Sequence, residues 1–260
     1  MNPFTSIDIA PSYYPCRIVL WTIDPTFSEA GPYSFTVEGS EDPAFKEINV
    51  SLPVGDSYFA QDDTRTIQSF ASRFVYRVKL ETANNTYYSP SVFYDGGKEE
   101  SRKYLYAAEI VRKDLLRTRV TGRPGWLLKK KNYSILIAEE LDPVSGVPIS
   151  DNSSSYGSRY EAGYYAPLHL VYTTENHSDD IKLSEDGSGV THRKIATFRF
   201  VGFPSVEVRD VVVADSGERY SVVKNQTRYY PGSSIVLTQT CSVTAIPNTD
   251  PVYQIEVGHV

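Results

Sequence analysis

"RFVYRVKLETANNTYYSPSVF", residues 73–93, alternates for eight residues and then turns. Phe74, Tyr76, Val78 and Leu80 fall on one side of an extended chain, with Val75, Arg77 and Lys79 on the other. Successive side chains of a strand point to opposite faces, so this pattern suits a strand with one face in a core. Ala83-Asn84-Asn85 supplies turn residues, and TYYSPSVF continues with β-favouring side chains. The stretch predicts a hairpin, and with it a sheet protein.

Working outward, CRIVLWTI, YSFTVEGS, KEINVSL and SYFAQD read as further short strands upstream, separated by Pro- and Gly-bearing turns. About seven short strands with turn signals between them suggest a sandwich of immunoglobulin type. Trp21 lies in an early strand before a Pro-bearing turn, and Tyr76 in a late strand before a hairpin. In these features residues 11–94 resemble a fibronectin type III domain, in which such a Trp and Tyr pack into the core. That fold specifies no function by itself.

Downstream, Asp95-Gly96-Gly97 breaks the pattern, and residues 98–119 predict the one clear helix. Tyr104, Ala108, Val111 and Leu115 recur at helical spacing, and Leu105 and Leu116 are expected to widen the stripe. Glu99 and Glu100 open the helix while Arg117 and Arg119 close it, as the helix dipole favours. Gly122 is placed to end it, with Pro124 beyond. GRPGW then reads as a tight turn, NYSILIAEEL as a strand, and LHLVYTT as its hairpin partner across a long polar excursion, residues 142–165. Glu175 to Gly189 reads as a surface loop. RKIATFRFVGF, VEVRDVVVA, RYSVVKNQ and SSIVLTQTCSVTAI read as strands of a small barrel or sandwich. The expected fold is therefore mainly β: a sandwich over residues 1–95, a basic helix and turn over 96–131, a hairpin over 132–175 and a second β domain over 176–260.

Apolar residues are 40 % and charged residues 22 % of the chain, values ordinary for a folded soluble protein. The net charge of −6 is spread unevenly. From Lys98 to Lys131 eleven basic residues stand against four acids, so this segment carries +7 and the remainder −13. Such asymmetry reads as a solvated helix face or as a contact surface for an acidic partner.

Little points to chemistry. His169, His177, His192 and His259 are scattered without metal-ligand spacing. No G-x-S-x-G elbow or P-loop occurs. Glu139, Glu140 and Asp142 cluster at a strand end, where acids are ordinarily solvated. Cys16 and Cys241 are read as two buried thiols. Tyr164, Tyr165, Tyr229 and Tyr230 could offer a sugar platform, but adjacent strand residues face opposite ways. No catalytic, cofactor or metal residue is expected. Neither a signal peptide nor a membrane span is expected.

The middle and end of the chain carry a second resemblance. "GRPGWLLKKKNYSILIAEELDPVSGVPISDNSSSYGSRYEAGYYAPLHLVY" and the phrase Ile246-Pro247-Asn248-Thr249-Asp250-Pro251-Val252-Tyr253 resemble the tailed-bacteriophage neck, or head-to-tail connector and collar, family. Members carry a D-P-V-x-G excursion, a segment like Ala162-Gly163-Tyr164-Tyr165-Ala166-Pro167 and a C-terminal β domain. The resemblance implies a virion location and a non-enzymatic, multi-copy ring. It implies contacts with portal, adaptor, tail or fibre proteins, and neither a membrane nor a sequence-specific nucleic-acid partner. Relatives pin the excursion with cysteine pairs in the manner of a zinc ribbon. This chain has no cysteine between Arg17 and Thr240, so the insertion lacks its metal ligands. Turns, Tyr156 and Tyr160, or a neighbouring subunit would have to hold it.

On this reading Arg112, Lys113, Arg117, Arg119 and Arg123 are candidate subunit-interface residues on and after the helix. Trp126, Lys129, Lys130, Lys131, Tyr156 and Tyr160 are the candidates beyond it. A closed ring uses heterologous contacts, which need two different complementary faces on each copy. The alternative is a β-sandwich adhesin or fibre-attachment protein that binds surface glycans.

Overall fold

The computed structural model describes residues 2–10, 17–27, 29, 31–64, 74–93, 97–132, 155–156, 158, 160, 162–174, 180–186, 189–233 and 235–258. The chain is mainly β, with 49 % of it in strands and 12 % helical.

Two sheets form the N-terminal part. The first contains β1 (Phe4–Ala10), β2 (Arg17–Ile23) and β5 (Phe59–Asp62), in the order β1-β2-β5. The second contains β3 (Ser34–Ser40), β4 (Val50–Gly55), β6 (Val75–Glu81) and β7 (Thr86–Tyr88), in the order β4-β3-β6-β7, with β8 (Val92–Phe93) also paired to β6. Alternation decides what each strand buries. Phe74, Tyr76, Val78 and Leu80 are all buried, while Arg77 and Lys79 are partly exposed on the other face. Trp21 packs on Phe35, ring centroids 5.4 Å apart, in the same core. Tyr76 keeps its buried hydroxyl satisfied by donating to Asp62 Oδ2 at 2.6 Å, as a buried phenol requires.

The helix α1 (Gly97–Thr121) ends where expected, with the Gly122 N–H donating to Thr118 O at 2.7 Å. Its inward face is Ala107, Ala108, Val111, Leu115 and Thr118. Leu105 and Leu116 do not widen that face. They are 42 % and 47 % exposed, because they sit more than a quarter-turn from its centre.

The remaining strands are β9 (Arg123–Leu128), β10 (Leu168–Thr174), β11 (Asp180–Asp186), β12 (Gly189–Val201), β13 (Val211–Ala214), β14 (Arg219–Tyr229) and β15 (Val236–Ala245). Six of them close on themselves: β10-β9-β13-β14-β15-β12, with β12 pairing back to β10. The interior holds Leu127, Tyr172, Phe198, Phe200, Tyr220 and Cys241. Burial pushes the Cys241 thiol up to about 12, so it behaves as a packing group. The 3-10 turn Pro251–Gln254, capped by Asp250 Oδ1 accepting from Val252 N at 2.9 Å, brings Val252 onto the outside of the barrel.

Two local readings change. GRPGW is a strand, not a tight turn, because β9 is hydrogen-bonded on both edges, to β10 and to β13. Gly125 is needed there for closeness: a Cβ would lie 2.6 Å from Val213 O. β10 pairs with β9; its expected hairpin partner, NYSILIAEEL, lies almost wholly outside the described residues. The barrel accordingly draws two strands from before residue 176. The polar stretch after Glu175 also contains a strand, β11, which pairs with the first half of β12.

The excursion at 142–165 lies mostly outside the described residues, but its return is visible. Tight turns link Ser158 N to Ser155 O and Gly163 N to Tyr160 O, at 2.9 and 3.0 Å. Gly163 has φ +57°, and a Cβ there would fall 2.3 Å from Ser155 O. Gly163→Ala is expected to cost about 1–3 kcal/mol of stability, from the left-handed backbone and the clash together. Urea unfolding measures it, and an unchanged midpoint would show that the turn relaxes freely.

Candidate docking groove beside the helix

The basic segment divides into two parts with different fates. On α1, Arg112 forms a two-pronged pair with Glu109, both contacts at 2.8 Å, which holds the Glu109 carboxyl down at about 2. Lys113 lies 3.5 Å from the same carboxylate and is 70 % exposed. Arg117 pairs with Asp114 at 2.6 Å. These are surface pairs on one helix, and each contributes little to stability. Arg119 and Arg123 are also exposed.

Past β9 the lysines turn inward. Lys129 and Lys131 are only 6 % and 7 % exposed. Lys131 Nζ reaches Asp56 Oδ2 at 2.5 Å, between β4 and β5, and Lys129 Nζ reaches Asp210 Oδ2 at 3.2 Å and Glu207 Oε1 at 2.9 Å. Their ammonium groups also lie over the rings of Tyr58 and Tyr165, which pack together at 5.0 Å. Phe59 meets Phe203 in the same seam. Lys129 and Lys131 therefore tie the N-terminal sheets to the barrel and are not open contact residues. Adjacent tripled lysines alternate along an extended chain, and Lys130 alone keeps its side chain on the partly exposed side, its N–H donating to Asp210 Oδ1. Trp126 is partly buried: it packs edge-on against His169 at 5.3 Å and against the cluster under the C-terminal turn. Tyr156 belongs to that cluster too, and Tyr160 is half-buried.

The outward helical cations do not stand alone. Between α1 and the open end of β14 and β15 runs a groove of about 600 Å³. Lys113 and Arg117 line one wall. Arg199 of β12 and Arg228 of β14 line the other, with Tyr229, Tyr230 and Pro231. Leu237 and the helix residues Ala107 and Val111 form the packed layer beneath. Asp114 is the single acid lining the groove among the described residues, and both Arg117 and Arg199 converge on it, at 2.6 and 3.2 Å. Four cations against one carboxylate leave a strong positive excess. Arg228 is exposed and has no ion-pair partner among the described residues. Ile110 and Tyr229 add apolar surface, 43 % and 53 % exposed.

Sequence reasoning found Lys113 and Arg117 but missed Arg199 and Arg228. In sequence those are isolated cations on strands, and only barrel closure carries them to the helix. Tyr229 was weighed as a sugar platform with Tyr230. The strand ends between them, so Tyr229 is exposed while Tyr230 packs toward α1.

Among the described residues no group of three or more His, Cys, Asp or Glu could hold a metal ion. Glu139, Glu140, Asp142, Cys16, His177 and His259 lie outside the described residues. No described helix is long and apolar enough to cross a membrane. No protein-family model matches the chain, and no curated protein matches it.

Proposed function

We infer that the chain is a structural subunit of a tailed-phage neck, present in several copies and docked to acidic surfaces of neighbouring virion proteins. The observation that carries this reading is the groove in which Lys113, Arg117, Arg199 and Arg228 surround one acid beside exposed Ile110 and Tyr229. A site with excess positive charge and an apolar floor suits an acidic protein surface with an aliphatic or aromatic anchor. The resemblance of the GRPGW, AGYYAP and IPNTDPVY phrases to neck proteins supplies the setting: head-to-tail joining, through portal, adaptor or tail contacts. The N-terminal strand order β1-β2-β5 over β4-β3-β6-β7 supports a fibronectin-like accessory domain.

The adhesin reading has less behind it. The exposed ring Tyr88 on the N-terminal sheets already stacks on Arg77, which also covers Phe45, at 4.3 and 4.2 Å. Those ring faces are not free for a sugar.

The test is charge reversal of Arg112, Lys113 and Arg117 in the virus, with electron microscopy locating the subunit in the wild-type particle. Particles lacking joined tails are expected from the triple variant. Normal tail joining, or wild-type density that places the chain away from the neck, refutes the reading.

A further inference from the structure

The N-terminal sheets carry a loop whose surface is the complement of the groove. Residues 40–49, SEDPAFKEIN, join β3 to β4 and hold Glu41, Asp42 and Glu47 against one cation, Lys46. The loop is internally bonded. Asp42 Oδ1 accepts from Ala44 N, and Asn49 Oδ1 accepts from Glu41 N, both at 2.9 Å. Ser40 Oγ donates to Glu47 O at 2.6 Å, and Asn49 N donates to Gly39 O at 2.9 Å. Arg77 of β6 lies over the Phe45 ring at 4.2 Å and holds the middle of the loop to the sheet. A loop fixed in this way gives up little conformational freedom on docking.

It presents Glu47 and Ile48. Both are exposed, Ile48 at 48 %, and Glu47 makes no ion pair among the described residues. An aliphatic side chain held in water on an ordered acidic loop gains by burial against a partner. The groove offers the opposite charge in the same arrangement. Arg228, which likewise lacks an ion-pair partner among the described residues, is followed by exposed Tyr229, and Ile110 of α1 lines the same groove. The loop does not fill the groove of its own chain, because Ile48 stays exposed and no residue of 40–49 is among the described groove residues. The loop also lies at the end of the sheets remote from the barrel seam. β4 leads from Val50 to Gly55, and the next residue, Asp56, is tied to Lys131 at that seam. Six strand residues, about 20 Å, separate the two.

We propose that the groove between α1 and the β14–β15 end receives the β3–β4 loop of a second copy of this chain, with Arg228 meeting Glu47 and Ile48 seated against Ile110 and Tyr229. This rests on the assembly reading above and names the neighbour that fills the groove. Lys113 and Arg117 add the positive field that steers the acidic loop inward. Loop and groove are the two different faces of a heterologous contact, so repetition generates a ring or an open chain.

Sedimentation velocity of the full chain at low salt, over a range of concentrations, tests it. The wild type is expected to self-associate. Arg228→Glu and Glu47→Arg each raise the apparent dissociation constant about tenfold or more, and Ile48→Ser raises it about tenfold. One chain carrying both Arg228→Glu and Glu47→Arg regains association. All three sites are exposed, and an unchanged urea midpoint in each variant shows that the fold is kept. A wild type that stays monomeric throughout overturns the proposal. So does loss of association from only one of the two reversals, or a folded double-reversal chain that fails to recover. None of these results moves the assembly reading, which stands or falls on where the subunit lies in the particle.

Discussion

Asp210→Ala lowers the unfolding free energy by about 3–5 kcal/mol, the range for breaking one partner out of a buried ion pair. Asp210 is 1 % exposed and collects three donors. Oδ1 accepts from Lys130 N at 2.9 Å, and Oδ2 accepts from Glu207 N at 2.7 Å and from Lys129 Nζ at 3.2 Å. Removing the carboxylate leaves two backbone N–H groups without it and leaves Lys129 with the exposed Glu207 and the Ser205 carbonyl. The loss is read from urea unfolding. A change below about 1 kcal/mol would show that the seam between sheets and barrel does not depend on this side chain.

The same group sets a pH dependence. Burial pushes the Asp210 carboxyl up to about 6, against the opposing pull of Lys129 and the two N–H groups. In the unfolded chain it titrates near about 3.9. The folded state therefore holds an extra proton between those values. The associated stability is present below about pH 4 and lost as pH rises through about 6. Asp210→Asn removes the titration, so the stability difference, wild type minus variant, falls across that window. A flat difference refutes the assignment.

Gln239→Leu is expected to cost about 2–4 kcal/mol, through several buried groups left without partners. Its amide N–H group donates to the carbonyls of Val201, Gly202 and Pro204, at 3.1, 3.3 and 2.7 Å. Its Oε1 accepts from Val206 N at 2.9 Å. One side chain on β15 thus holds the crossing from β12 toward β13, where the chain cannot form ladder bonds. Leu matches the volume and carries none of these bonds. Thermal unfolding gives the size of the effect, and faster amide exchange at Val206 locates it. Wild-type protection at Val206 would show that other contacts hold the crossing.

Much of the fold was readable because its signals are local. The alternation of Phe74 to Leu80 placed four side chains in a core, and the recurrence of Ala108, Val111 and Leu115 placed the inward face of α1. Gly122 marked the helix end. GRPGW misled because Gly and Pro signal turns on average. At Gly125 the glycine is there to let a neighbouring strand approach. Leu105 and Leu116 misled because apolar residues on a helix are assigned to its core face unless a partner surface is known.

The candidate site was half legible. Charge counting singled out the basic segment, but composition cannot tell an ammonium turned inward from one in solvent. Lys129 and Lys131 became internal ties because β9 is clamped between two strands, which aims alternate side chains of its continuation at Asp210 and Asp56.

By itself the sequence determined periodicity, hence which faces are apolar, where elements stop and where cations concentrate. Each of these depends on residues within a turn or two of one another. Only the tertiary structure decided that β12 returns to β10 and closes the barrel. That closure brings Arg199 and Arg228 across from Lys113 and Arg117. Long-range pairing is chosen by the packing of the whole core, which no local stretch encodes.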